Sequence, residues 1–462
     1  MDTIETSGTL SGEGLTGDVH SWRSGNRERD DESLGPRFET TLRVGDRVWV
    51  RNSNGNVHEL TGVLLRRALT AEFVDSGAFV KAPDRVHFVG FGAIDGRRTW
   101  DVEVNAVGGE PETLWIDAQS GLPLRTEYLD GDGPTYVDLS DWRDVGGMKL
   151  AFHSVTTDGE HAFDTIEQVA WVKLGKPIDP ATFVPLAGKQ LIADGAQTVP
   201  LLDDGSRVAC RVTIAGQSYT FLIDSGSGNV LLDSRVARAA GLGEQGALEV
   251  RGAVRTGGMH VATLARLSIG TASLDDLVVS TIDLGAAAGH TRIDGILGYP
   301  FFAASIVQLD FAHHVMRFGP PGSFVPAGER IELDTDREIP EAVFRIDGSV
   351  DAPFIVDTGN SGSLLLYAPF VDRHPALAPA GAGASSYIGV GGSDRTYSTR
   401  LDSIGLGSTT LEDQSADVIV AKNGAFADRI DAGNVGLGLL RKFVVTFDFA
   451  NHALYLDRAA GL

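Results

Sequence analysis

Beyond about residue 200 the chain repeats itself, and no other feature of the sequence limits its fold as strongly. Phe221-Leu-Ile-Asp-Ser-Gly-Ser-Gly-Asn-Val-Leu-Leu232 aligns with Phe354-Ile-Val-Asp-Thr-Gly-Asn-Ser-Gly-Ser-Leu-Leu365, counting from the Asp. Ile296-Leu297-Gly298 ahead of Phe301-Phe302 is answered by Gly436-Leu437-Gly438 ahead of Phe443. Each copy then ends on a hairpin pattern, 308–318 in the first and 446–456 in the second. The landmarks keep one order at offsets of 133, 140 and 138 residues, which predicts duplicated lobes that differ by loop insertions.

In each copy three apolar residues run into Asp-[Ser/Thr]-Gly, and a second apolar strand follows a few small residues later. That is strand, tight loop, strand. The Gly allows a turn that a Cβ would obstruct, and the hydroxyl of Ser225 or Thr358 is placed to bond across to the opposite loop. If the lobes are related by a pseudo-twofold axis, Asp224 and Asp357 meet on it and compete for one proton. Two carboxylates roughly 3 Å apart do not both ionise readily, so one acts as base and the other as acid. A water between them can then be activated without a metal, a cofactor or a covalent intermediate.

Residues 200 to 460 resemble the pepsin-like and retropepsin-like aspartic proteases in their bilobal single-chain form. The motifs that carry the resemblance are Leu222-Ile223-Asp224-Ser225-Gly226 with Ile296-Leu297-Gly298, and Ile355-Val356-Asp357-Thr358-Gly359 with Leu437-Gly438. The resemblance implies a two-lobed acid-protease β-barrel fold, a peptide or protein substrate, and Asp224 and Asp357 as catalytic residues. Ser225, Gly226, Ser227, Thr358 and Gly359 become the supporting loops, with Ser227 bonding the outer oxygen of Asp224 where the second lobe has Asn360. Gly298 and Gly438 then lie on strands threading behind the loops. Gly257 and Gly258 in Thr256–Met259, and Gly391 and Gly392 in 389–393, occupy the place of flap hairpins, one per lobe, with Tyr387 the nearest candidate for a flap tyrosine.

The first part of the chain reads as consecutive strands broken by Asp/Gly and Gly/Gly turns, as in 47–51, 100–105, 113–117 and 124–128, with one helical segment at 62–74. Trp115–Arg125 and Asp141–Leu150 resemble the half-barrel of periplasmic lipoprotein-carrier proteins, over residues 30 to 185. The fold class expected is mainly β: an antiparallel half-barrel domain with a packed helix at 1–185, then protease lobes at 186–325 and 326–462. The resemblance implies an exported, periplasmic or secreted monomer. Its N-terminal domain would bind substrate or partner, cover the cleft as a built-in propiece, or serve structure alone. The rival reading is a non-catalytic peptide- or lipid-binding protein on the same scaffold.

With 62 acidic against 39 basic residues the net charge is -23, which argues against nucleic acid as a partner. Only Cys210 is present, so neither an intramolecular disulfide nor a multi-cysteine metal site can form. No stretch of about 18 apolar residues is found, and the N-terminus shows no signal-peptide pattern, as a chain trimmed to its mature form also would not. Asp75-Ser76-Gly77 is a third Asp-Ser-Gly, but it follows a predicted helix and reads as a helix end. Gly241–Gly246 spells the dinucleotide fingerprint yet follows a helical segment, which marks a helix stop. His313, His314 and His452 sit in predicted hairpin turns, and no zinc-protease or serine-hydrolase motif occurs, so no metal site is expected.

Overall fold

The computed structural model describes residues 3–131, 133–251, 256–284, 292–378, 384–389, 392–421 and 424–458. The chain divides into two compact units, Met1–Gly188 with Gly246–Leu248, and Lys189–Gln245 with Glu249–Leu462.

The first unit is built on a thirteen-stranded antiparallel sheet. From Thr3–Gly12 the strands run outward in order to Val57–Glu59 at one edge. The chain then crosses to Val86–Ile94 at the other edge and returns strand by strand to Thr165–Leu174, which pairs with Thr3–Gly12 at Ile4↔Leu174. The crossing segment holds the helix Val63–Asp75. This helix touches both Arg47–Arg51 and Glu112–Asp117, strands near opposite edges, so the sheet curls around it as a half-barrel. Glu72 of the helix pairs with Arg23 at 3.0 Å and Arg43 at 2.8 Å, while Arg67 pairs with Asp130 at 3.0 Å. Asp75-Ser76-Gly77 closes the helix, with Gly77 in the left-handed region at φ 67°, as its sequence context predicts.

The second unit contains an eight-stranded sheet, a seven-stranded sheet and a six-stranded sheet. Its strands show the alternation of a half-buried sheet: in Glu341–Ile346 only Val343 and Arg345 are exposed. In the first lobe Gly295–Leu297 runs parallel to Gln217–Ile223 and antiparallel to Leu231–Asp233, so it threads between the two strands that flank the Asp224 loop. Gly433–Val435 does the same between Val350–Val356 and Leu364–Tyr367 in the second lobe. Cys210, inside Val208–Ile214, is fully buried, and burial pushes its thiol up to about 12, so it packs as a small hydrophobe.

The six-stranded sheet joins the copies. Ile306–Asp310 pairs antiparallel with Phe443–Asp448, placing Ile306 opposite Asp448, Gln308 opposite Thr446 and Asp310 opposite Val444. Gln308 and Thr446 are equivalents at an offset of 138, and the pair Ile306–Asp448 is the image of the pair Asp310–Val444, so the register is symmetric about Gln308 and Thr446, as a twofold axis demands. Phe302 packs edge-on against Phe447 at 5.2 Å and Phe301 against Phe318 at 5.6 Å, filling the core on this side with aromatic area. Among the described residues no helix is long and apolar enough to cross a membrane.

Candidate active site

The two Asp-[Ser/Thr]-Gly loops meet face to face. The N–H of Ser225 donates to Thr358 Oγ1 at 3.0 Å, and the N–H of Thr358 donates to Ser225 Oγ at 3.0 Å. Each hydroxyl also donates to the strand leading into the opposite loop, Ser225 to the Val356 carbonyl at 2.6 Å and Thr358 to the Ile223 carbonyl at 2.8 Å. Both residues are 0% exposed. The four bonds are exchanged by the twofold relation seen in the six-stranded sheet, and no water competes for them.

This brace brings the carboxyl groups of Asp224 and Asp357 into a shared hydrogen bond. A Cβ on Gly226 would lie 2.7 Å from the Asp357 carboxyl carbon, and one on Gly359 would lie 2.5 Å from that of Asp224. Glycine is therefore needed at both places for approach, not for an unusual φ. Burial, then the neighbouring Asp357 charge, holds Asp224 well above the usual carboxylate range. Burial also raises Asp357, against the N–H groups of Gly359 and Asn360 and the bond from Asp224, which lower it. Both residues are half-buried, so the loops are not sealed from solvent.

The strands behind the loops correct the sequence reading. The N–H of Asp224 donates to the Leu297 carbonyl at 3.0 Å and that of Asp357 to the Val435 carbonyl at 2.9 Å. The N–H of Tyr299 reaches the Ser227 carbonyl at 2.8 Å, and that of Leu437 reaches the Asn360 carbonyl at 2.8 Å. The counterpart of Gly298 is thus Gly436, at the offset of 138 kept by the hairpins, and not Gly438, which lies within the short helix Leu437–Leu440. A Cβ on either Gly298 or Gly436 would strike the carbonyls of the loop in front. Ser227 is also not where the resemblance put it, because its hydroxyl donates to the nearby Asn229 carbonyl at 3.0 Å while its backbone N–H serves Asp224.

Residues that sequence reasoning missed lie in the second lobe. Asn434 Nδ2 donates to Asp357 Oδ2 at 2.8 Å, and Asn360 Nδ2 donates to Asn434 Oδ1 at 2.8 Å. Both amides are nearly fully buried. Asn434 takes the place of Ile296, since Leu222 pairs with Ile296 as Ile355 pairs with Asn434. A polar residue inside an otherwise apolar threading strand was the available signal.

The aspartyl protease family model matches residues 210–301, from the strand before the Asp224 loop to the segment after Gly298. That match spans about a fifth of the chain and lies wholly within the first of the two copies. An aspartic proteinase from Irpex lacteus is 16% identical over 57% of this chain and 98% of that one, with a TM-score of 0.38. A DUF1329 family protein from Desulfovibrio piger is 14% identical over 40% of this chain and 89% of that one, at TM-score 0.29. A LolA superfamily protein from Nitrosomonas europaea is 12% identical over 40% and 90%, also at 0.29. No curated protein matches the sequence.

Elsewhere in the second unit, Gly257 and Gly258 lie near the start of the strand Thr256–Ile269, and residues 252–255 before it lie outside the described residues. Gly392 begins the strand Gly392–Leu406, paired with Gly389 of the preceding strand Ala384–Gly389. Gly391 and the Tyr387 side chain lie outside the described residues. A buried ion network fills the second lobe: Arg337 bonds Glu341 at 2.7 Å, Asp428 at 2.5 Å and also Asp431. His313 and His314 are exposed turn residues, and no group of three potential metal ligands occurs among the described residues. The helix Ser234–Ala239 ends on Gly241 at φ 69°, which confirms a helix stop and removes the dinucleotide reading. In the first unit a cavity of about 350 Å³ beneath the helix Val63–Asp75 is lined by Arg67, Asp75, Glu112, Tyr128, Val137 and Leu139, among others. Burial pushes Glu112 up to about 7.

Proposed function

We propose that this chain is an aspartic endopeptidase that hydrolyses peptide bonds with a water activated between Asp224 and Asp357. The observation that carries the reading is the close approach of two carboxyls on symmetry-related loops that are braced to each other and not sealed from solvent. One carboxylate removes a proton from the water as its oxygen bonds to the substrate carbonyl carbon. The other carboxyl gives its proton to the carbonyl oxygen. Collapse of the resulting gem-diol breaks the C–N bond, the first Asp passes its proton to the leaving amine, and the second recovers its own from a gem-diol hydroxyl. The dyad has thus regained its starting state.

In the same reading the hairpins that contain Gly257–Gly258 and Gly391–Gly392 are flaps that fold over the substrate. The protein works as a monomer outside the cytoplasm, and its first unit presents substrate or limits access to the dyad. A peptide-library digest by the full chain across pH 3 to 8, with and without pepstatin, tests the reading. Pepstatin-sensitive internal cleavage is expected at acid pH, and its absence at every pH refutes the peptidase assignment.

A second reading is favoured by the cavity in the first unit. There the protein carries a small amphipathic ligand, with the protease-like lobes as scaffold. Mass spectrometry of organic extracts of the purified chain tests this, and a stoichiometric co-purified lipid would favour it.

A further inference from the structure

The two halves of the dyad do not share the same surroundings, and the difference is a chain of oriented amides. Asn360 Oδ1 accepts the Gly362 N–H at 2.8 Å, which turns Asn360 Nδ2 toward Asn434 Oδ1 and so points Asn434 Nδ2 at Asp357 Oδ2. The orientation of both amides follows from this order of donors, since flipping either one would set two donors or two acceptors against each other. Asn360 is 2% exposed and Asn434 is 1%, so water does not compete. Asp357 also receives the N–H of Gly359 at 2.8 Å and of Asn360 at 3.2 Å, both on Oδ1. Asp224 likewise receives the N–H of Gly226, at 3.1 Å, and that of Ser227, but where its lobe would need the counterpart of Asn434 it has Ile296, which has no polar side-chain atom.

Resting on the reading of Asp224 and Asp357 as a catalytic dyad, we infer that Asn434, oriented by Asn360, is a positioning residue that keeps Asp357 as the carboxylate and leaves the shared proton on Asp224. A carboxylate accepts more strongly than a carboxylic acid, so donors concentrated on one member select it as the anion. Asp357 is then the base that takes the proton from water, and Asp224 is the acid that protonates the substrate carbonyl. The groups acting on the pair are the N–H groups of Gly226, Ser227, Gly359 and Asn360 and the Asn434 amide, and the titrating groups that face each other are the two carboxyls.

The test follows the Cγ resonances of the dyad in the full chain labelled with ¹³C-aspartate, without substrate, assigned with Asp224→Asn and Asp357→Asn. In the natural protein Asp357 should titrate at the lower pH. Asn434→Ile, which installs the residue the first lobe already holds, should raise that lower step by about one to two units, roughly a ten- to hundredfold gain in proton affinity. Asn360→Ser, copying Ser227, should move it in the same direction by less, and gives the answer if Asn434→Ile fails to fold. The acid limb of kcat/KM should follow the same shift. A lower step belonging to Asp224, or one left in place by both substitutions, would overturn the inference. A chain that titrates as described and cleaves no peptide would refute the peptidase reading alone.

Discussion

Removing one hydroxyl of the cross-lobe brace should be costly although no volume is lost. Thr358→Val keeps the side-chain shape but deletes the atom that donates to the Ile223 carbonyl at 2.8 Å and accepts the Ser225 N–H at 3.0 Å. Both partners lie in buried backbone, where an unpaired group costs roughly 1–3 kcal/mol, so the change should destabilise the meeting of the lobes by about 2–4 kcal/mol. Thr358→Ser retains the hydroxyl, as the first lobe does at Ser225, and should cost under about 1 kcal/mol. Because the chain has two compact units, one global unfolding curve need not describe a single transition. The assay is therefore native-state amide exchange by mass spectrometry on peptides covering 219–227 and 352–360. Protection in both peptides should fall roughly thirtyfold or more for Thr358→Val and little for Thr358→Ser. Equal behaviour of the two substitutions would show that the bonds do not hold the loops together.

Gly226→Ala should reduce kcat by at least about a hundredfold while leaving circular dichroism unchanged, because the new methyl would sit against the Asp357 carboxyl and force the pair apart. Arg337→Met should destabilise the second unit by about 3–5 kcal/mol in thermal unfolding at pH 7, since Glu341, Asp428 and Asp431 would be left buried without their cation. Glu341 is raised from 4.5 to about 7 by burial, so the folded state holds its proton more tightly than the unfolded chain. Its contribution to stability is full below about pH 4.5 and falls as pH rises to about 7; Glu341→Gln should flatten the dependence of Tm on pH across that window.

The parts of this molecule visible in its sequence are those set by local rules. An Asp-[Ser/Thr]-Gly between apolar runs announces its loop because turn, hydroxyl and carboxylate lie within three residues, and Gly77 and Gly241 end helices wherever the chain places them. The third Asp-Ser-Gly could be set aside for the same reason. What escaped depends on partners distant in sequence. Gly438 imitates the second apolar-apolar-Gly position in the sequence because Asn434-Val-Gly436 carries a polar residue at the apolar place, and the strand register shows that Asn434 fills the Ile296 position. The constant offset of 138 between the hairpins already pointed to Gly436. Ser227 misled because a serine hydroxyl bonds as readily to a carbonyl two residues on as to a catalytic oxygen. The strand Arg27–Leu34, with the sequence RERDDESL, has no apolar alternation at all and is held by pairing with its neighbours on both sides.

The proposed chemistry requires the two aspartates to act together on one water. Its most direct test is hydrolysis of an acid-denatured protein substrate by the full chain and by Asp224→Asn and Asp357→Asn, each shown to be folded. Either single substitution should abolish cleavage, with kcat lower by about a thousandfold or more, because one carboxyl cannot serve as base and acid at once. Cleavage that survives in either variant within about tenfold of the natural rate would contradict it.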